Sequence, residues 1–140
     1  MTHTYTGGSA SGKRMIAYCW HSVEGYSKFG AYEGKPGDGT AGSADEPFVY
    51  LGFKPAMVWI KLIDSAGGWL VYDNKRSLFN PVKTYIQLDS TEVEGNALTL
   101  SLDFLSNGFK IRGTSGAISA TETYVYMAWA EMPFKYATAR

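Results

Sequence analysis

Glycine and small polar residues interrupt this chain about every ten residues, and the runs between them alternate instead of repeating with helical spacing. That punctuation admits many short strands and few helices, which is the pattern of a sandwich or barrel. The runs that read as strands are Arg14–Ser22, Tyr26–Tyr32, Phe48–Leu51, Ala56–Ile63, Trp69–Asp73, Lys83–Leu88, Ala97–Phe104, Phe109–Arg112 and Thr123–Met132. Val58, Ile60 and Leu62 share one face of the fourth, and Met57, Trp59 and Lys61 share the other. Leu98, Leu100 and Leu102 alternate with Thr99, Ser101 and Asp103, the cleanest half-buried pattern in the chain. Only Ser90–Gly95 and Lys75–Asn80 have room for a short helical turn, the latter ended by Asn80-Pro81.

Turn chemistry supports the same division. Asp64–Gly68 and Ser106-Asn107-Gly108 read as hairpin loops between strong strands. Residues 33–46 hold four glycines, one proline and no large apolar side chain, and are expected as a long exposed loop. Residues 1–13 are expected as a flexible arm, and the 140 residues as one domain. Ile16-Ala-Tyr-Cys-Trp20 can be laid on Val125-Tyr-Met-Ala-Trp129, an internal echo that places the first and last strands in equivalent positions.

Composition excludes several classes of function. Thirteen basic residues balance thirteen acidic ones, so the chain lacks the basic footprint that a nucleic-acid partner demands. Seven Phe, four Trp and ten Tyr with only 19% charged residues leave the surface poorly protected against association, which points to an assembly or oligomer. One cysteine precludes a disulfide framework and a multi-thiolate zinc site. The first residues have neither the basic nor the apolar region of a signal peptide, and no apolar run is long enough to insert in a bilayer.

The residues with catalytic chemistry read more simply as structural. Cys19 and His21 would share a strand face, too far apart for a thiol–imidazole pair, and Cys19 is expected as a small buried hydrophobe; His3 lies apart from both. Glu92 and Glu94 are the nearest approach to a glycosidase pair, but they fall in a polar turn where water screens both. Asp64, Asp73, Asp89 and Asp103 sit near strand ends, where aspartates form turns. Glu33, Asp38, Asp45 and Glu46 lack the alternate-position carboxylates of calcium loops and read as a solvated segment. No catalytic residue, metal or cofactor is therefore assigned. Among the aromatics Trp59, Trp69, Tyr72, Tyr26, Phe29 and Tyr32, most must be core, and Trp69, Tyr72 and Trp59 are the candidates for a glycan platform.

Five stretches carry a wider resemblance: residues 17–30, 47–56, 69–73, 102–112 and 123–135, with Ala17-Tyr-Cys-Trp-His-Ser-Val, Leu102-Asp-Phe-Leu-Ser-Asn-Gly-Phe and Thr123-Tyr-Val-Tyr-Met-Ala-Trp among them. Together they resemble an uncharacterised domain of tailed-phage virion proteins, common in marine and aquatic phages and often described as tail fibre or hypothetical structural protein. The resemblance implies an all-β, jelly-roll-like antiparallel β-sandwich of the concanavalin-lectin type, a single domain in this chain and tandem in longer relatives. It implies a virion protein made in the host cytoplasm, a homotrimer contacting other virion proteins. A tail-fibre or tail-tip module touching host-surface carbohydrate is the favoured expectation. A capsid decoration protein is the alternative, and a lectin-like glycan hydrolase the alternative of another class. The chain departs from such relatives in having only the tail of a preceding copy and a longer loop at Glu33–Glu46.

Overall fold

The alternating runs become strands almost where the sequence places them. The computed structural model describes residues 17–35 and 46–132. Within them lie β1 (Ser27–Glu33), β2 (Phe48–Tyr50), β3 (Pro55–Leu62), β4 (Trp69–Asp73), β5 (Thr84–Gln87), β6 (Gly95–Asn96), β7 (Leu102–Leu105), β8 (Gly108–Ile111) and β9 (Thr123–Ala130), with one short helix, α1 (Gly116–Ser119). A six-stranded sheet has the order β1-β9-β3-β4-β5-β6, and a three-stranded sheet the order β2-β8-β7. Every pairing is antiparallel. The first and last strands are neighbours in the large sheet, and the second and penultimate are neighbours in the small one. That nesting gives the expected all-β, jelly-roll-like sandwich.

The core is the layer between the sheets. Alternation sends Val58, Ile60 and Leu62 of β3 and Tyr124, Tyr126 and Ala128 of β9 inward, where they meet Leu102, Phe104, Phe109 and Ile111 of the small sheet. Polar tips entering this layer are mostly bonded. The Tyr32 hydroxyl donates to the Ile118 carbonyl at 2.8 Å. The Tyr124 hydroxyl donates to the Gly116 carbonyl at 2.5 Å and accepts from the Ala120 amide at 2.8 Å, holding both ends of α1. Ser115 caps the same helix through the Ala117 amide.

Several expectations are corrected by tertiary context. The Ala97–Phe104 run is not one strand: Leu98–Leu100 form a 3₁₀ turn, and Leu98 is exposed. The reason is topological, since β6 belongs to the large sheet and β7 to the small one, so the chain must turn a corner between them. Ser101 secures that corner by donating its hydroxyl to the Leu98 carbonyl at 2.6 Å. Residues 17–22 form no strand and are exposed, so the echo between Trp20 and Trp129 does not mark equivalent places. The rest of the Arg14–Ser22 run and the 1–13 arm lie outside the described residues. Neither Lys75–Asn80 nor Ser90–Gly95 is helical, and Gly95 instead opens β6.

Glu46 is also not where a solvated loop would put it. It is 4% exposed, and its Oε2 lies 2.5 Å from the Ser119 hydroxyl, which is itself 2.6 Å from the Lys35 carbonyl. Ser119 thereby clasps the two ends of segment 36–45, whose residues lie outside the described ones, Asp38 and Asp45 among them.

Tyr72, by contrast, lies in the core with no hydrogen-bond partner for its hydroxyl among the described residues. Burial pushes that hydroxyl far above the ordinary tyrosine range, with a further push from Tyr85. Tyr72→Phe should therefore change stability at neutral pH by no more than about 0.5 kcal/mol, since no bond is lost. Above about pH 10 the unfolded chain releases a proton that folded Tyr72 keeps, so the wild type should lose up to about 1.4 kcal/mol per pH unit through this hydroxyl. Y72F should lack that slope. Urea titrations at rising pH test the point, and parallel declines for the two proteins would sink it.

Candidate functional site

The face of the large sheet turned away from the core should be polar if it meets only water, and it is not. Register puts Phe29 of β1 opposite Met127 of β9, Met127 opposite Trp59 of β3, Trp59 opposite Val71 of β4, and Val71 opposite Ile86 of β5. An unbroken apolar row thus crosses five strands. Two further tryptophans join it diagonally, as aromatic side chains one register step apart can. Trp129 meets Phe29 at 5.7 Å and Trp59 at 5.4 Å, and Trp69 meets Trp59 at 6.4 Å between ring centroids. All three contacts are edge-on, with interplanar angles of 87°, 63° and 75°. Val71 is buried and the other members are half-buried.

Charges on this face are few: Lys61, Asp73 and, at the end of β1, the exposed Glu33, which register places opposite Thr123. Lys61 folds back to donate to the carbonyls of Leu62 and Gly67 at 2.8 and 2.7 Å. Asp73 accepts from the Arg76 guanidinium and from the amides of Lys75 and Arg76 at 2.9 and 2.8 Å. Burial pushes the Asp73 carboxyl up, but these bonds and the guanidinium outweigh it and hold it below the usual carboxylate range.

Of the three residues the sequence offered as a glycan platform, two lie on this face and one does not. Trp59 and Trp69 belong to the aromatic network, packed edge to face, with the Trp59 indole N–H enclosed. Tyr72 is fully buried and is withdrawn as a ligand residue, because its position on β4 faces the small sheet while Val71 faces outward. Cys19 is exposed, correcting its expected burial, and His21 is exposed beside it.

Of the carboxylates the sequence singled out near turns, all but Glu92 make structural bonds. Glu94 accepts from Arg76 Nε at 2.8 Å while Glu92 stays exposed, so the two do not form a buried pair. Asp64 accepts from the Thr123 amide at 2.7 Å, and that bond lowers its carboxyl below the usual range. Asp89 accepts from the Trp69 amide at 3.0 Å, and Asp103 pairs with Arg112 at 3.2 Å. Among the described residues no group of three or more His, Cys, Asp or Glu could hold a metal ion, and no helix is long and apolar enough to cross a membrane.

A second feature went unread in the sequence because it joins two distant loops. A groove of about 370 Å³ opens beside the outer edges of β1 and β2, walled by Ser22–Gly25 on one side and Tyr50–Phe53 on the other. Each wall turns at a left-handed glycine, Gly25 (φ 70°) and Gly52 (φ 87°), a conformation that favours glycine. Backbone bonds brace both: Val23 exchanges bonds with Ser27 at 2.9 Å, and the amides of Leu51 and Gly52 donate to the Asn107 carbonyl at 2.9 and 3.0 Å. Lys28 spans the gap, donating to the Tyr50 carbonyl at 2.8 Å with its ammonium 5.2 Å from the Tyr50 ring centroid.

A family model described as "Domain of unknown function (DUF7483)" matches residues 1–133. Comparison with curated proteins and with solved structures finds no match.

Proposed function

We propose that this chain, which belongs to the DUF7483 family, is a non-enzymatic structural module of a bacteriophage virion, favoured as a tail-fibre or tail-tip component, whose copies pack through the outer face of the large sheet. The observation that carries the packing is the apolar row Phe29–Met127–Trp59–Val71–Ile86, placed where a sandwich meeting only water would carry polar side chains. Aromatic and methionine enrichment with few charges is the composition of an interface centre. The occupant is a second copy of the chain. Lys61 and Asp73 near the row are of opposite sign and already bonded, the exposed Glu33 lies at the far end of β1, and the whole chain has no net charge, so the centres of like faces meet with little repulsion. The resemblance to tailed-phage proteins supports the virion setting, and the engagement of Asp64, Asp73, Asp89, Glu94 and Asp103 in structural bonds supports a non-enzymatic role.

Met127→Glu, at the centre of the row, tests the packing. Sedimentation at micromolar concentration should show an oligomer for the wild type and a monomer for M127E, with the strand signature in circular dichroism unchanged. A monomeric wild type, or an M127E oligomer of unchanged size, would overturn the assignment. Quantitative mass spectrometry of purified particles tests the setting: low copy number at the tail is expected, high copy number on the head would make the chain a capsid clip, and absence from the particle would end the virion reading.

A further inference from the structure

We propose that the groove between Ser22–Gly25 and Tyr50–Phe53 is a binding site for a neutral hexose of a glycan. This deepens the tail reading by naming the surface that touches carbohydrate, and it moves that surface away from Trp59, Trp69 and Tyr72. The groove is of small-molecule size, near the lower end of the range of about 300–1,000 Å³ for such sites.

Its chemistry matches a sugar on three counts. Tyr50 is 60% exposed on β2, with the Lys28 ammonium 5.2 Å from its ring centroid, so the ring is open to solvent where Lys28 does not cover it. An aromatic face of that kind receives the aliphatic C–H face of a pyranose while its hydroxyl stays wet. Glu24 is exposed on the opposite wall, and its carboxylate oxygens can accept from two neighbouring sugar hydroxyls. Lys28 spends one hydrogen bond on the Tyr50 carbonyl, and an ammonium has three donors, so it can give to a ring or hydroxyl oxygen. One carboxylate and one ammonium leave the groove without net charge, which selects a neutral ligand over an anionic one.

The walls are already in place. The left-handed turns at Gly25 and Gly52 and the bonds to Asn107 and Ser27 fix the loops, so binding requires little ordering of the backbone. A shallow, half-open site of this kind binds one sugar at about millimolar Kd, and a protein that presents several copies raises the effective affinity without new contacts.

Saturation-transfer NMR on the full chain with glucose, galactose, mannose and N-acetylglucosamine, each supplied separately, tests the assignment. Ring protons of at least one of these sugars should receive saturation from the wild type. Tyr50→Ala should abolish the transfer, and Glu24→Gln should weaken binding about tenfold through loss of charge-assisted hydrogen bonds. Both side chains are exposed, so unchanged circular dichroism keeps the comparison interpretable. No transfer to any of the four sugars, or equal transfer in Y50A, would overturn the site. The M127E protein separates the two proposals. Sugar binding by a monomeric wild type would uphold the groove alone, an oligomeric wild type without sugar binding would uphold the packing face alone, and a monomeric M127E that still binds sugar would uphold both.

Discussion

Replacing Phe109 with alanine should lower the unfolding free energy by about 4 kcal/mol. Phe109 has no exposed surface and lies on β8, the middle strand of the small sheet. From there it meets two residues of the opposite sheet edge-on, Tyr32 at 6.2 Å and Tyr126 at 5.6 Å between centroids. Truncation removes the transfer free energy of a large ring and also two aromatic contacts worth about 0.5–1.5 kcal/mol each beyond area. The cavity cannot close easily, because β2 and β7 pin β8 on both sides and the Tyr32 hydroxyl is tied to Ile118. A domain of ordinary stability, about 5–15 kcal/mol, is left marginal by such a loss. Guanidinium denaturation checks this: the midpoint should fall with an unchanged slope. A loss below about 1.5 kcal/mol would mean that the two sheets can close over the gap, contrary to the packing argued here.

Gly108→Ala should be nearly as damaging, at about 3 kcal/mol, for the opposite reason: too much matter instead of too little. A Cβ on Gly108 would lie 2.1 Å from the Val49 carbonyl oxygen, and no rotamer relieves a contact with backbone. Relief requires β2 to move off β8, breaking the pairing of Val49 with Phe109 and of Tyr50 with Gly108. The same movement would displace Tyr50 and spoil the groove wall, so sugar binding should fall together with stability. Gly116→Ala serves as the control. Its added carbon meets only the Ala120 Cβ, at 3.9 Å, at the start of α1. There alanine should be neutral or stabilising by about 0.5–1 kcal/mol. Thermal and denaturant unfolding of the two variants side by side decide the matter, and equal effects would refute it.

Much of the strand inventory was legible locally. The bounds expected for β1, β3, β4, β5, β8 and β9 differ from the observed ones by no more than two residues at either end. The hairpin loops fall where turn chemistry puts them, at Asp64–Gly68 and at Ser106-Asn107, with Gly108 already opening β8. The Leu98–Leu102 pattern failed although it alternates most cleanly. Alternation states that successive side chains point to opposite sides, but it cannot state that the chain leaves one sheet for another at that point. Glu46 failed similarly, since the Ser119 hydroxyl that receives it lies 73 residues away.

Of the candidate surfaces, only their aromatic composition was legible in the sequence. An interface of aromatics and a sugar platform of aromatics were both expected, but the assignment of residues to them depends on which side of each strand is core. β3 shows why this is not a local property. Met57 and Trp59 on one face are nearly as apolar as Val58 and Ile60 on the other, so the hydrophobic pattern alone leaves two solutions. The small sheet chooses between them by covering Val58, Ile60 and Tyr72, which leaves Trp59, Trp69 and Val71 on the outer face.

By itself the sequence determined the class of fold, the places of most strands and turns, and the absence of a basic footprint, because these follow from period, turn residues and charge along a short stretch of chain. Tertiary structure alone decided which face of the large sheet is buried, that β1 lies beside β9, and that two distant loops enclose the groove. Those choices rest on contacts between residues far apart in the chain, whose free energy appears only once the two sheets have closed on each other.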